Sequence, residues 1–171
     1  MEERTGIVTM RGNPLILVGN QVNVGDIAPD VILIDNDLNS IRLSSYRGKT
    51  CIISSVPSLD TPVCDIETRK FNEEASHLGS QISILTISMD LPFAQKRWCG
   101  AAGVDRIQTL SDYRYTSFGA AFGVLIKELR LLARAVFLID QKGIIRYIQL
   151  VKEVTTEPDY QAIWDALKKP G

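Results

Sequence analysis

The chain has 171 residues, of which 45% are hydrophobic and 23% are charged, and its formal net charge at pH 7 is -1. This length suits a single domain with a sizeable core, and the composition is ordinary for a globular protein. The balanced charge and the lack of a Lys/Arg block argue against a nucleic-acid-binding protein.

The N-terminal residues lead into an alternating pattern rather than a basic region followed by an apolar run, which predicts no signal peptide. No stretch approaches about 18 uncharged apolar residues, so we expect no membrane span and a cytoplasmic location. Three cysteines are too few for a secreted disulfide scaffold, and an intracellular disulfide is more often catalytic or redox-sensing than structural.

The first part of the chain predicts strands and turns, with one helical turn. These elements are a hairpin at 6–10 and 14–18, a connector at 25–30, strands at 31–35 and 41–43, and the helical turn at 44–48. The run at 50–56 is apolar, β-branched and uncharged, which is typical of a strand covered on both faces.

A helix is predicted over 62–78, with Thr61 as its N-cap and Gly79 at its end. An apolar β-branched run at 82–88 follows, so strand, helix and strand form a βαβ unit with parallel strands. A second helix is predicted over 91–102, with Asp90 as its cap.

Residues 104–134 have a weaker pattern, with a short strand near Thr109, a helix over 118–122 and an unassigned segment to Leu132. A clear hairpin at 135–139 and 144–151 precedes a last helix, which starts near Pro158 and stops at Pro170-Gly171. From residue 50 the order is β, α, β, α, insertion, β, β, α. This is the order of the α/β thioredoxin fold with an N-terminal β-hairpin extension, in a single domain over residues 1–171.

Cys64 lies in the first turn of the predicted helix, after a buried strand. Its sulfur would lie near unpaired backbone N–H groups and the positive end of the helix dipole, which stabilise a thiolate. Ligand chemistry in open α/β sheets also collects at the carboxyl ends of strands. We therefore favour a reactive cysteine over the alternative of a small buried hydrophobe.

Three kinds of cysteine chemistry fit poorly. The single histidine, His77, lies roughly 20 Å along the same helix at about 1.5 Å per residue, too far for a Cys/His hydrolase. The cysteines and His77 lack the close ligand pairs of zinc sites, and Thr61 stands where a C-x-x-C dithiol needs a cysteine. What remains is a thiolate that reacts with an oxidant and is resolved by a distant cysteine.

The pattern P-x-x-x-T-x-x-C formed by Pro57, Thr61 and Cys64 resembles the peroxiredoxin active-site motif. The longer string Val56-Pro57-Ser58-Leu59-Asp60-Thr61-Pro62-Val63-Cys64 is similar to the thiol peroxidase (Tpx) subfamily. The similarity continues through the blocks at 68–72, 90–95, 97–100, 132–136 and 155–160 and covers nearly the whole chain. These blocks in this order are highly specific.

The resemblance implies a role for five residues. Cys64 matches the peroxidatic cysteine, and Cys99 matches the resolving cysteine of atypical two-cysteine enzymes, which close the disulfide within one chain. Thr61 matches the threonine that contacts the peroxide and the thiolate. Pro57 matches the proline that shields the pocket, and Arg134 matches the arginine that polarises the peroxide.

Without the resemblance, these residues have simpler interpretations. Arg134 would be a solvated residue before a strand, and Cys99 a packing residue beside Trp98. Cys51 matches no catalytic position of the family, and we interpret it as a core residue. Arg114 is a weaker candidate for a second arginine that supports the site.

The resemblance further implies a thiol-dependent peroxidase for hydrogen peroxide and organic hydroperoxides, reduced by thioredoxin, which forms a homodimer and needs no metal, haem or flavin. Because a disulfide requires Cα atoms within about 7 Å, we expect the first turn of the Cys64 helix to unwind during the cycle. Two alternatives stay open. One is a non-enzymatic redox sensor or chaperone switched by Cys64 oxidation, and the other is a different peroxiredoxin subfamily in which Cys99 is idle.

Overall fold

A seven-stranded mixed sheet forms the centre of the molecule. The computed structural model describes residues 1–169, and the helix stop predicted at Pro170-Gly171 lies outside them. The elements of this part of the chain are β1 (Glu3–Met10), β2 (Asn13–Val18), β3 (Ile32–Ile34), β4 (Ser40–Arg42), a 3-10 helix (Leu43–Tyr46), β5 (Thr50–Ser55), α1 (Pro62–Leu78), β6 (Ile82–Ser88), α2 (Pro92–Ala102), β7 (Gln108–Ser111), α3 (Ser117–Phe122), β8 (Leu125–Ile126), β9 (Ala135–Ile139), β10 (Ile145–Leu150) and α4 (Tyr160–Lys168).

The central sheet has the strand order β10-β9-β5-β6-β7-β3-β4. β5 and β6 pair in parallel, with Thr50 opposite Ile82, and β7 continues the parallel pairing. α1 connects β5 to β6, so the predicted βαβ unit is confirmed. β9 pairs antiparallel with the other edge of β5, and this brings the residue before β9 close to the carboxyl end of β5.

The two faces of this sheet bury separate hydrophobic clusters. Ile52 and Ile84 pack with Phe71 of α1 and Ile163 of α4. Ile53 belongs to a larger cluster on the other face, which includes side chains of α3 and the N-terminal hairpin. Because side chains alternate along a strand, β5 is covered on both faces, as its uncharged sequence predicts.

A second sheet joins the predicted N-terminal hairpin to the segment that the sequence left unassigned. β1 pairs with β2, and β8 adds to β2 with Leu17 opposite Ile126. A strand of two residues is too short to carry an alternating pattern, which needs at least about four residues.

The prediction of Asp90 as the cap of α2 is wrong. Leu91 occupies the N-cap position and makes no side-chain cap hydrogen bond. The carboxylate of Asp90 instead accepts hydrogen bonds from Ser58 Oγ at 2.7 Å and from the backbone N–H of Leu59 at 2.8 Å. Asp90 thus holds the loop that leads into α1. Within residues 1–169, no helix is long and apolar enough to cross a membrane.

Candidate active site

Cys64 lies in the first turn of α1, where the chain leaves the loop that follows β5. Pro62 begins the helix, and Cys64 is completely buried. Its neighbours are the apolar side chains of Val56 and Leu59 and the ring of Trp98 from α2. The cysteine therefore lies at the carboxyl end of a central strand, as the sequence predicts, but below the surface.

The buried side chain of Arg134 donates a hydrogen bond from Nη2 to the sulfur of Cys64 at 3.3 Å. Arg134 directly precedes β9 and is 2% exposed, so it is not the solvated residue that its sequence context alone suggests. Its Nε and Nη2 also donate to the carbonyl of Val154 at 3.0 and 2.9 Å. Its Nη1 donates to Glu67 Oε2 at 2.5 Å. Four hydrogen bonds thus fix the plane of the guanidinium.

Glu67 is the buried anion that faces Arg134. Its second carboxylate oxygen accepts a hydrogen bond from Ser54 Oγ of β5 at 2.9 Å. Burial raises the pKa of Glu67, and the charge and hydrogen bonds of Arg134 and Ser54 oppose this rise by favouring the carboxylate. Burial disfavours the charged form of Arg134, yet its pKa is raised, because the charge of Glu67 and the hydrogen bonds to Glu67 and Cys64 favour the charged form.

Glu67 is not among the site residues that the sequence predicts. It lies three positions after Cys64, and residues at this spacing share a helix face. An acidic residue on the same face as a first-turn cysteine is the signal that could have found it. It is completely buried, and a carboxylate is rarely buried without a charged partner.

A cavity of about 370 Å³ opens beside Arg134. Its lining residues are Met10, Arg11, Pro57, Thr61, Pro62, Val63, Arg134, Val154 and Thr155. The structure therefore brings Pro57, Thr61 and Arg134 to one cavity, with Cys64 hydrogen-bonded to Arg134 behind its wall. The contribution of the N-terminal hairpin and of the segment after β10 was not predicted.

Thr61 occupies the N-cap position of α1, but the predicted capping by its side chain is wrong. Its hydroxyl donates to the carbonyl of Ser58 at 3.0 Å, and it makes no cap hydrogen bond. A hydroxyl that donates in this way keeps its oxygen lone pairs as acceptors. At the wall of the cavity, Thr61 can therefore accept a hydrogen bond from a bound molecule.

Cys99 lies in a different environment on α2. It is partly exposed, and its sulfur lies 3.5 Å from Thr109 Oγ1. It lines a separate cavity of about 220 Å³ together with Asp35 and Asp37. The structure does not bring Cys99 to Cys64, since the two sulfurs have different neighbours and all three cysteines are free thiols.

The remaining candidates lie outside the Cys64 network. Cys51 is buried in β5, and burial raises the pKa of its thiol to about 12, so it stays protonated and unreactive. Arg114 is exposed and lies over the rings of Tyr113 and Tyr115 at 5.6 and 5.9 Å. In residues 1–169, no group of three or more His, Cys, Asp or Glu side chains could hold a metal ion.

Both the sequence and the fold match known proteins. Residues 23–163 match the family model described as Redoxin. Thiol peroxidases from Bacillus subtilis and Halalkalibacterium halodurans are each 53% identical over 161 residues, which cover 94% of this chain and 96% of each relative.

The solved structures agree with these sequence matches. A crystal structure of a peroxiredoxin-like protein from Aquifex aeolicus is 41% identical and has a TM-score of 0.89 over 98% of both chains. A thiol peroxidase from Chromobacterium violaceum, 22% identical over 94% of both chains, has a TM-score of 0.84 and shares the fold. The predicted thioredoxin-like peroxiredoxin fold is thus confirmed. The chain belongs to the Redoxin family and, within it, to the thiol peroxidase (Tpx) peroxiredoxins, which are peroxidases of the oxidoreductase class.

Proposed function

We propose that the chain reduces hydrogen peroxide and organic hydroperoxides through the Cys64 thiolate, with Cys99 as the resolving cysteine and thioredoxin as the reductant. The observation that carries this proposal is the 3.3 Å hydrogen bond from Arg134 Nη2 to Cys64 Sγ beside a cavity. This arrangement places the fixed cation of Arg134 next to the sulfur nucleophile of Cys64 and beside a space for a small substrate.

The first step is attack of the Cys64 thiolate on the terminal oxygen of the hydroperoxide. An S–O bond forms, the O–O bond breaks, and the departing alkoxide or hydroxide takes up a proton to leave as alcohol or water. The sulfur becomes a sulfenic acid. Arg134 Nη2 donates to the sulfur, and the same guanidinium can meet charge that grows on the leaving oxygen.

Thr61 and Pro57 supply the rest of the proposed pocket. The Thr61 hydroxyl donates to Ser58 and can accept the O–H of a bound hydroperoxide, which orients the O–O bond toward the sulfur. Pro57 carries no backbone N–H and presents an apolar ring to the cavity, so it limits water at the reacting atoms. The apolar side chains of Val63 and Val154 in the same wall support binding of organic hydroperoxides.

Cys99 then attacks the sulfenic sulfur, forming the S–S bond and releasing water. A dithiol such as thioredoxin reduces this disulfide and returns both cysteines to thiols. Because Cys64 is completely buried and Cys99 contacts Thr109, the two residues cannot meet without local rearrangement. We propose that the first turn of α1 unwinds, which lowers amide protection over 61–66 in the disulfide form. Equal protection in both redox forms would contradict this step.

We also propose that the protein is a homodimer packed near the active site. Leu91, Phe93 and Tyr115 are large exposed apolar side chains, and the first two lie within three residues of Asp90, whose carboxylate holds the loop that leads into α1. Sedimentation equilibrium of the protein and of Phe93→Glu tests this assembly. A parent that sediments as a monomer would contradict it.

The test of the proposed function treats the reduced protein with one equivalent of tert-butyl hydroperoxide, quenches within seconds and maps the thiols by peptide mass. We expect a rapid link between Cys64 and Cys99, with Cys51 still free. Oxidation no faster than that of free cysteine, or spread over all three cysteines, would overturn the peroxidase cycle. Stoichiometric oxidation that thioredoxin cannot reverse would indicate a redox sensor instead.

A further inference from the structure

The carbonyl of Val154 sets the direction in which Arg134 donates to Cys64. Both Nε and Nη2 of Arg134 donate to this oxygen, and Nη2 is also the nitrogen that contacts the sulfur. Val154 lies after β10 and outside regular secondary structure. The position of a catalytic donor thus depends on an irregular segment, so whatever holds that segment also holds the donor.

The tip of the N-terminal hairpin holds this segment by backbone pairing. Thr9 N–H donates to the carbonyl of Lys152, and Val154 N–H donates to the carbonyl of Thr9, both at 2.8 Å. Thr9 and Glu153 form an isolated parallel bridge. The same two elements contribute Met10 and Val154 to the cavity beside Arg134.

The Glu153 carboxylate reinforces the contact from both sides. Oε1 accepts from Gly12 N–H at 2.9 Å and from Thr9 Oγ1 at 3.1 Å, both in the hairpin. Oε2 accepts from the N–H and the hydroxyl of Thr155 at 2.9 and 2.7 Å, within its own segment. One carboxylate therefore takes four donors, two from each element, and connects the hairpin to the segment that bears the Val154 carbonyl.

We propose that Glu153 is a positioning residue for peroxide reduction, which ties the hairpin to residues 152–156 and so fixes the Val154 carbonyl that aims Arg134 at Cys64. This inference rests on the proposed function, because it concerns the rate at which Cys64 reacts with a hydroperoxide. Glu153 itself touches neither the sulfur nor Arg134, and it acts through the backbone.

The connection between the hairpin and residues 152–156 depends on the negative charge of Glu153. Hydrogen bonds from Thr155 and Gly12 lower the pKa of Glu153 to about 2, so the group is ionised and accepts on both oxygens at neutral pH. Glutamine has the same shape but presents an NH₂ group in place of one oxygen. In Glu153→Gln at least one of the four donors would face another donor, and the contact would open.

The test compares Glu153→Gln with a matched control, Glu128→Gln. Glu128 also accepts a hairpin N–H, that of Ile16 at 3.1 Å, but it is exposed and has no connection to Arg134. Rapid-quench kinetics with tert-butyl hydroperoxide should show Cys64 oxidation slowed about tenfold or more in Glu153→Gln, since small misplacements of reacting groups have large effects on rate. Glu128→Gln should stay within about twofold of the parent.

Two further measurements separate positioning from a general structural role. Alkylation of Cys64 by iodoacetamide does not require a donor aligned with an O–O bond, so Glu153→Gln should slow it far less than the peroxide reaction. If Glu153 acts through Arg134, its effect should shrink in the Arg134→Lys background, because coupled residues are non-additive. Thr9→Val, which removes one of the four donors, should lower the peroxide rate in the same direction by a smaller factor.

The inference is overturned if the rate of Cys64 oxidation in Glu153→Gln stays within about twofold of the parent rate. It is also overturned if peroxide oxidation and iodoacetamide alkylation slow equally, or if the effects of Glu153→Gln and Arg134→Lys add. If Glu153→Gln does not fold, Thr9→Val alone decides, and an unchanged peroxide rate there would overturn it. Failure of the proposed function gives a different result, since the parent protein itself would then react slowly with hydroperoxide.

Discussion

The surroundings of Cys64 and Cys99 differ in almost every physical respect. Cys64 is completely buried and accepts a hydrogen bond from a guanidinium that has three further hydrogen bonds. Cys99 is partly exposed, and its contact with Thr109 at 3.5 Å is a weak one for a thiol. One cysteine belongs to a preorganised network, and the other lies at the edge of a cleft.

The helices that carry the two cysteines differ in the same way. α1 buries Cys64, Glu67, Thr68 and Phe71, whereas α2 buries only Pro92 and Gln95. Elements with few buried side chains open at a lower free energy than the rest of a protein. We infer that the site stays fixed while Cys64 attacks the peroxide, and that α2 moves together with the first turn of α1 when Cys99 reaches Cys64.

The largest expected effect is that of Cys99→Ser, which separates the step that needs Cys99 from the step that needs only Cys64. Cys99→Ser should lose thioredoxin-driven turnover completely, because no disulfide can form, while the first oxidation of Cys64 should stay within about twofold of the parent, since Cys99 lies outside its network. Steady-state and single-turnover peroxide consumption measure the two steps. Cys51→Ser is the control and should leave both unchanged. Turnover that survives in Cys99→Ser would show that this cysteine is idle.

Arg134→Lys tests the rigid network and should have the next largest effect. Lysine keeps the positive charge beside Glu67, so the buried carboxylate is not left alone, but an ammonium cannot maintain the fork that reaches Cys64, Glu67 and Val154 together. We expect peroxide oxidation of Cys64 to slow by about 10² to 10³.

The control for this variant is Arg146→Lys on β10, where the exposed Arg146 pairs with Asp140 in the turn before the strand. It should leave the peroxide rate unchanged. A rate for Arg134→Lys within a few-fold of the parent would show that charge alone, rather than the geometry of the guanidinium, supports the reaction.

The fold near Cys64 was predictable because its signals are local. β5 and β6 are apolar β-branched runs, and α1 has Pro62 at its start and Gly79 at its end. β8 was missed, since its two residues pair with the distant β2 rather than following a pattern of their own. The prediction of Asp90 as a helix cap was wrong because the Ser58 hydroxyl and the Leu59 N–H of the loop that leads into α1 bind its carboxylate in place of the helix N–H groups.

The site was predictable only in part, for a related reason. Cys64 stands out from its position between a strand and a helix, but Arg134 reaches it through the antiparallel pairing of β9 with β5, which is a tertiary event. The Val154 carbonyl is a backbone group and leaves no mark on residue type. In the sequence, only the resemblance to the family connects Arg134 and Cys99 to Cys64, and the structure shows the contact of Arg134 alone.

A row of hydroxyl side chains on one face of the sheet runs from the surroundings of Cys64 to those of Cys99. Ser54, Thr86 and Thr109 are register partners on β5, β6 and β7. Ser54 bonds Glu67 in the Cys64 network, and Thr109 bonds Asn36 and contacts Cys99. The Thr86 hydroxyl between them is buried and has no hydrogen-bond partner in the described part of the chain.

The same substitution should therefore have opposite effects at neighbouring positions. Thr86→Val removes an unsatisfied buried hydroxyl and should raise the free energy of unfolding by about 1 kcal/mol. Thr109→Val removes the donor to Asn36 and should lower it by about 1 kcal/mol. Denaturant midpoints of the reduced proteins measure both. Equal destabilisation by the two variants would mean that the Thr86 hydroxyl is satisfied in solution.

The smallest expected effect concerns how α2 is held in the reduced form. Lys96 of α2 pairs with Asp37, in the turn between β3 and β4, at 2.9 Å, and both side chains are mostly exposed. If α2 must leave this position for Cys99 to reach Cys64, the pair opposes disulfide closure, and Lys96→Ala should speed closure by no more than about threefold, as suits an exposed ion pair.

Single-turnover disulfide formation after peroxide addition measures this effect, and the advantage of Lys96→Ala should disappear at high salt, where the parent pair is screened. The matched control is Arg42→Ala on β4, which removes an exposed pair with Asp30 and should leave closure unchanged. Unchanged closure in Lys96→Ala would mean that the pair survives in the disulfide form. The motion that joins the two cysteines would then lie entirely in α1, and the weak packing of α2 would have no part in resolution.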